Sequence, residues 1–144
     1  MLTKEDVSER LRDAGYRVTQ QRLAVYDFLH RNDTHPTVDD IHAGIKGDLP
    51  KVSVATVYKS LESLVDIGLV KPIHVGSTAT RFDASTEVHA HFRCIACNEI
   101  ADVTVDHTPV ATEQMGHRKI IGSNVEFYGF CASCRRDRPG LDSN

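Results

Sequence analysis

The four cysteines of this chain form two CxxC pairs, Cys94 with Cys97 and Cys131 with Cys134. Four thiols in two such pairs are typical of a closed tetrahedral zinc site. The alternative is a redox-active CxxC, but that motif normally opens a helix after a strand, whereas each pair here lies beside strand-like sequence. In a reducing cytosol the pairs therefore predict structural Zn²⁺ and not two disulfides.

A second group of ligand-type residues comes directly before the first pair. His89 and His91 are two positions apart, so on a strand both imidazoles point to the same side. Imidazoles suit a harder metal ion than a thiolate cage does. One short segment thus predicts two metal sites.

Composition narrows the class of protein. The net charge is −3, and residues 1–83 hold eleven Lys and Arg against twelve Asp and Glu, so contact with nucleic acid requires a local basic patch. The sequence has no apolar run of membrane length and no secretory leader pattern. We expect a cytoplasmic protein with no membrane partner.

Four amphipathic helical patterns precede the histidines and cysteines. Residues able to cap a helix stand at their starts, namely Thr3, Thr19, Thr37 and Ser53, and Gly68 follows the fourth. Two short extended runs, 69–75 and 78–83, then flank a Gly-Ser turn. Residues 1–83 are therefore predicted to form a winged helix-turn-helix domain.

The rest of the chain, residues 84–144, predicts a small α/β domain stapled by zinc, so the whole chain is of the α+β class. A short polar stretch, 83–87, is the expected hinge. The predicted elements are strands at 90–93, 100–105 and 125–130 and a helix at 109–118.

The outer face of the fourth helix is polar where a recognition helix would enter the major groove. A generic solvated face is the alternative, but cationic residues near the second and fourth helices favour phosphate contact. The Tyr58 ring fits either the core or a DNA contact. The candidate DNA-binding residues are Arg17, Thr19, Arg22, Lys51, Ser53, Thr56, Tyr58 and Lys59.

Six strings now add a resemblance. RVTQQRLAVYDFL, HPTVDDIH, SVATVYKSLESLVDIGLV, RFD, HAHFRCIAC and FYGFCASC, in this order, resemble the ferric uptake regulator family of metal-dependent repressors over about residues 5–135. The resemblance implies a homodimer whose winged helices read a palindromic operator in double-stranded DNA, and a C-terminal domain that dimerises and holds metal. It also implies structural zinc on the four cysteines.

The resemblance implies a regulatory Fe²⁺ or Mn²⁺ site as well, with donors from both predicted domains, so that the ion would fix the angle between them. Its residues are His35, Asp83, His89, His91 and Asp102. Taken alone, His35 before a proline also fits a loop histidine and Asp102 a solvated carboxylate, while Asp83 could pair with Arg81.

Asp102 points to one branch of the family. Members that resemble the peroxide-sensing branch carry aspartate here, whereas the iron-sensing branch typically has glutamate. The branch implies that ferrous iron reacts with peroxide and that a histidine ligand, His35 or His89, is oxidised, which releases DNA. The alternative is a repressor of the same family that responds to iron, zinc, nickel or manganese without peroxide chemistry.

Two other classes compete with a repressor. An iron site of histidines and carboxylates also occurs in oxygenases and hydrolases, but the sequence has no nucleophile motif or Gly-rich phosphate loop, and we do not expect an enzyme. A zinc-ribbon adaptor without a DNA role would leave Tyr58 and Lys59 dispensable.

Overall fold

A computed structural model of the chain describes residues 2–74, 79–85, 89–104, 116–118, 124–138 and 140. The chain divides into two compact units, Met1–Thr86 and Glu87–Asn144. Within the described ranges no helix is long and apolar enough to cross a membrane.

The N-terminal unit consists of four helices and a two-stranded hairpin. Its elements are α1 (Lys4–Asp13), α2 (Gln20–His30), α3 (Val38–Ile45), α4 (Val54–Asp66), β1 (Lys71–Ile73) and β2 (Arg81–Asp83). Each helix begins after its predicted cap, because the hydroxyls of Thr3, Thr19, Thr37 and Ser53 accept a backbone N–H of the first turn. The strands pair antiparallel, with Pro72 opposite Phe82, which makes the hairpin a wing beside the helices.

The helices and the wing enclose one apolar core. The largest fully buried side chains include Leu11 of α1, Ile41 of α3, and Leu61 and Leu64 of α4. Helices α2 and α3 approach so closely that a Cβ on Gly44 would lie 2.0 Å from Cε2 of Phe28. This packing holds α4 against the other helices with its polar face outward.

The C-terminal unit is built on a three-stranded sheet. Its described elements are β3 (Ala90–Cys94), β4 (Ile100–Val103), β5 (Glu126–Gly129) and a short helix, α5 (Ala132–Arg136). The strand order is β4-β3-β5, with β3 antiparallel to β4 and parallel to β5. The helix predicted at 109–118 lies outside the described residues except for its last three positions, where Gly116 and His117 form a turn. The expected α+β fold, a winged helix-turn-helix followed by a small α/β domain, is confirmed.

Candidate metal centres and DNA-facing helix

The four cysteines converge in the C-terminal unit. Cys94 ends β3, and Cys97 lies in the turn that follows. Cys131 is the residue directly before α5, and Cys134 lies within that helix. All four Sγ atoms lie within 4.8 Å of one another, and the Cys97 and Cys131 sulfurs are 3.8 Å apart. Four thiolates around one Zn²⁺ with bonds of about 2.3 Å have sulfurs about 3.8 Å apart. The cluster therefore fits zinc.

Full ionisation of the four thiols would require a bound cation. The backbone N–H of Cys131 donates to Sγ of Cys94 at 3.4 Å and lowers the pKa of that thiol to about 6. The neighbouring Cys131 thiol, by contrast, raises the pKa of Cys134 to about 12. Adjacent thiolates repel one another, so all four ionise together only when a bound metal ion compensates their charge.

His89 and His91 meet a carboxylate on the same sheet. The two Nε2 atoms are 3.1 Å apart, and Asp102, which pairs with His91 across β3 and β4, places Oδ1 3.7 Å from Nε2 of His89 and 3.6 Å from Nε2 of His91. Ligands of one ion with bonds of about 2.1 Å lie about 3.0–4.2 Å apart. Two imidazoles and a carboxylate with these spacings suit Fe²⁺ or Mn²⁺ in preference to a thiophilic metal.

The N-terminal unit holds the other two predicted donors. His35 lies in the loop before α3 and Asp83 ends β2; both are buried, at 3% and 9% exposure. One ligand atom of His35 lies within 4.8 Å of one of Asp83. Buried ionisable groups this close are unusual unless they share a partner or a metal ion, and a histidine with a carboxylate is a donor pair that fits a divalent cation.

Arg81 contacts the loop that carries His35, and sequence reasoning missed this contact. Its Nη1 donates to the backbone carbonyl of His35 at 3.1 Å, across 46 positions of the chain. From the sequence, Arg81 was considered only as an ion-pair partner for Asp83, which lies two positions further along the chain. The only available signal was its place in the RFD string, which does not reveal a contact with a distant loop.

The predicted DNA-binding residues fall into two places on the N-terminal unit. Lys51 and Ser53 precede α4, and Tyr58 and Lys59 lie in its first two turns; all four are exposed, with Tyr58 at 53%, so its ring is outside the core. Thr56 is half-buried, and its hydroxyl lies 2.9 Å from that of Ser53. This end of α4 is accessible to a partner.

The second place is the start of α2. Arg17 is exposed, whereas Thr19 caps the helix and accepts the backbone N–H of Arg22. The Arg22 guanidinium lies 5.3 Å from the centroid of the Tyr16 ring and donates to the Arg17 carbonyl. These contacts order the loop that presents Arg17.

Comparison with known proteins gives a consistent set of relatives. The peroxide-responsive repressor PerR of Staphylococcus saprophyticus is 37% identical over 134 residues, which cover 91% of this chain and 90% of the relative. The solved structure GAS PerR-Zn-Zn is 32% identical with a TM-score of 0.54, covering 92% of this chain and 87% of that one.

A third relative supports the fold alone. The structure of the Helicobacter pylori ferric uptake regulator Fur, described as having three functional metal binding sites, has a TM-score of 0.69 at 21% identity and covers 93% of this chain and 95% of that one.

The model of the ferric uptake regulator family matches residues 13–128, most of the chain. Because this family model matches most of the chain and the PerR relative is 37% identical over 91% of it, the chain belongs to the ferric uptake regulator family.

Proposed function

We propose that this protein is a metal-dependent transcriptional repressor that acts in the cytoplasm and senses hydrogen peroxide through a regulatory Fe²⁺ or Mn²⁺ site. The observation that carries the proposal is the group of His89, His91 and Asp102, whose atoms have the spacing of ligands to one ion. The relatives named as peroxide-responsive repressors support the same function. The protein is a regulator and not an enzyme.

DNA binding is proposed for the exposed end of α4 together with the start of α2. Helix N-terminal turns read base edges in the major groove, and hydroxyls and cations nearby contact phosphate. The residues proposed to make these contacts are Arg17, Thr19, Arg22, Lys51, Ser53, Thr56, Tyr58 and Lys59. Because the unit carries no excess of positive charge, these local contacts must supply the affinity.

A homodimer is proposed from the C-terminal unit. Strand β5 lies at one edge of the described sheet, and its Phe127 and Tyr128 are 48% and 73% exposed. An edge strand with exposed aromatic side chains is costly in a monomer and typical of an interface. A two-fold dimer presents two copies of α4, so the operator should be palindromic, with half-sites one helical turn or a multiple apart.

The regulatory site is proposed to take its ligands from both units: His35 and Asp83 from the first, and His89, His91 and Asp102 from the second. An ion that binds all five better in the DNA-competent arrangement increases the population of that arrangement. Structural Zn²⁺ on the four cysteines keeps the C-terminal unit folded in either state.

Peroxide sensing is proposed from Asp102, the residue at which the chain resembles the peroxide-sensing branch of the family. The imidazoles of His35 and His89 would be the groups oxidised: ferrous iron held by these residues would supply the electron that cleaves the O–O bond of hydrogen peroxide, and the net change would add one oxygen atom to one of the two rings and release one water molecule. The oxidised ring is a poorer ligand, so the ion is lost and DNA is released. Manganese does not supply this chemistry, so the manganese form stays bound to DNA.

The test uses a duplex selected from a random library by the manganese-loaded protein. Fluorescence anisotropy follows its release as peroxide is added to the iron-loaded and manganese-loaded forms, and we expect release from the iron form alone. Equal insensitivity of the two forms would instead indicate a repressor that senses iron or another metal without peroxide chemistry. A His89→Ala variant serves as control and should bind the duplex weakly with either metal.

A further inference from the structure

The backbone of His35 adopts an unusual conformation. Its φ is +52°, in the left-handed region that residues with a Cβ rarely occupy. Such a conformation persists only where surrounding contacts hold it, and it is frequent at ligand clamps. The contacts around His35 therefore decide where its imidazole lies.

Strand β2 supplies these contacts. Nη1 of Arg81 donates to the His35 carbonyl at 3.1 Å, the backbone N–H of Phe82 donates to the Pro36 carbonyl at 3.0 Å, and Thr37 forms an isolated β-bridge with Arg81. The loop before α3 thus lies beside β2 and pairs with it in a single bridge. Of these contacts, only the Arg81 side chain reaches the His35 peptide group itself.

The same strand carries Asp83, whose Oδ1 accepts the backbone N–H of Ser85 at 2.7 Å. The Asp83 donor is thus oriented within its own segment, and its partner, His35, is oriented from β2 through Arg81. The ligand atoms of the two donors lie within 4.8 Å of each other. Two ligands must be held at a set distance to bind one ion well.

We propose that Arg81 is a positioning residue for the regulatory metal site. It does not touch the ion; its guanidinium holds the His35 peptide in the left-handed conformation that keeps the imidazole beside Asp83. Arginine suits the task because its planar group offers several donors in fixed directions, whereas lysine offers a flexible point charge. The inference rests on the proposed function to the extent that His35 and Asp83 bind the ion.

The test measures Mn²⁺ binding to zinc-replete protein, with free Mn²⁺ quantified by electron paramagnetic resonance. We expect Arg81→Ala to weaken binding by about 10-fold to 100-fold, the usual effect of losing a residue that orients a ligand. Arg81→Lys should recover part of the loss because it keeps the charge and one donor. The matched control is Arg31→Ala, which removes an exposed arginine paired with Asp27 at 3.2 Å and should leave binding unchanged.

A second readout separates positioning from a purely structural role. The thermal unfolding of each variant is recorded without Mn²⁺; a lower midpoint for Arg81→Ala with unchanged Mn²⁺ affinity would overturn the proposal. Where Arg81→Ala fails to fold, Arg81→Lys decides: parental affinity would overturn the proposal, and weakened binding would support it.

The parent protein and His35→Ala distinguish failure of this inference from failure of the proposed site. If His35→Ala loses Mn²⁺ affinity while Arg81→Ala does not, only the role of Arg81 is rejected. If the parent itself binds no Mn²⁺ beyond its zinc, or His35→Ala binds as the parent does, the regulatory site and the role of Arg81 are both rejected.

Discussion

Each of the two units of this protein is stabilised in a different way. The N-terminal unit buries a single cluster of fifteen apolar residues, whereas in the described part of the C-terminal unit only Ala90 and Cys94 are buried hydrophobic residues. Where the described part of a small unit buries so little apolar surface, another source of stability is expected. The four thiols gathered around one point can supply it, because binding of a metal ion there would contribute directly to folding.

The four thiols and the proposed regulatory donors also differ, because only the thiols all lie in one unit. All four thiols belong to the C-terminal unit and can be closed around zinc without the other unit. The proposed regulatory donors are divided between the units and include Asp102, whose side chain is 47% exposed. A closed cage within one unit favours permanent occupancy, while a divided, partly open set favours an ion that comes and goes with the conformational state.

The largest effect is expected for Cys97→Ser. Cys97 is exposed, so the change removes a thiolate without creating a cavity. Structural zinc sites contribute about 10–16 kcal/mol in small metal-binding domains, which is comparable to the entire stability of a domain. In amide NMR spectra the signals of the C-terminal unit should collapse, while those of Val57 and Leu64 in the N-terminal core stay dispersed.

The control for this change is His89→Ala, which lies in the same unit but outside the thiol set. Its zinc content and the dispersion of its amide signals should match those of the parent. A Cys97→Ser protein that lacks zinc but keeps a folded C-terminal unit would show that the unit has an adequate core of its own and would reverse the comparison.

A smaller effect, confined to the other unit, is expected for Gly44→Ala. The new Cβ would lie 2.0 Å from the Phe28 ring, and overpacking costs about 1–3 kcal/mol, more than the roughly 1 kcal/mol that alanine gains over glycine in a helix. Urea unfolding of the N-terminal unit should shift to lower concentration with unchanged zinc content. Gly47→Ala is the matched control, since its Cβ would meet nothing within 4 Å; equal effects of the two changes would reject the packing argument.

Local signals in the sequence explain why so much of the N-terminal unit was predictable. Helix starts were predicted at Thr3, Thr19, Thr37 and Ser53, and these residues do cap the helices, because capping depends on a few neighbouring residues. Val54 is the apolar first residue of α4, yet its side chain is 37% exposed. It begins the helix, where the first turn extends beyond the core.

Contacts between distant segments were not predictable. The sequence supplied His91 and Asp102 as donors but not their pairing across β3 and β4, since strand register depends on the whole sheet. The positive φ of His35 and its contact with Arg81 likewise depend on how the loop meets the wing. Nothing in the residues around His35 indicates either feature.

The smallest effect is expected for Asp40→Ala, in the capping box of α3. The backbone N–H of Thr37 donates to the Asp40 carboxylate and lowers the pKa of that group below its ordinary 3.8. The bond therefore stabilises the folded state above pH 3.8 and is lost as the pH falls through the lower, folded-state pKa. The melting midpoint of the variant should fall slightly below that of the parent near neutral pH, and the two should converge in strong acid.

Asp39→Ala is the control for this change, because Asp39 lies in the same helical turn but is not part of the capping box. It should show a smaller difference from the parent. A difference between parent and Asp40→Ala that persists unchanged at the lowest pH would contradict the assignment of the effect to the ionised carboxylate.

We propose that the four thiols maintain the fold and that the histidine and carboxylate donors respond to peroxide. Peptide mapping by mass spectrometry of iron-loaded protein after peroxide, with zinc measured on the same sample, tests it directly. We expect one added oxygen atom on a peptide containing His35 or His89, with the four cysteines unmodified and zinc retained. Oxidised cysteines with loss of zinc, and no oxygen on any histidine peptide, would contradict it.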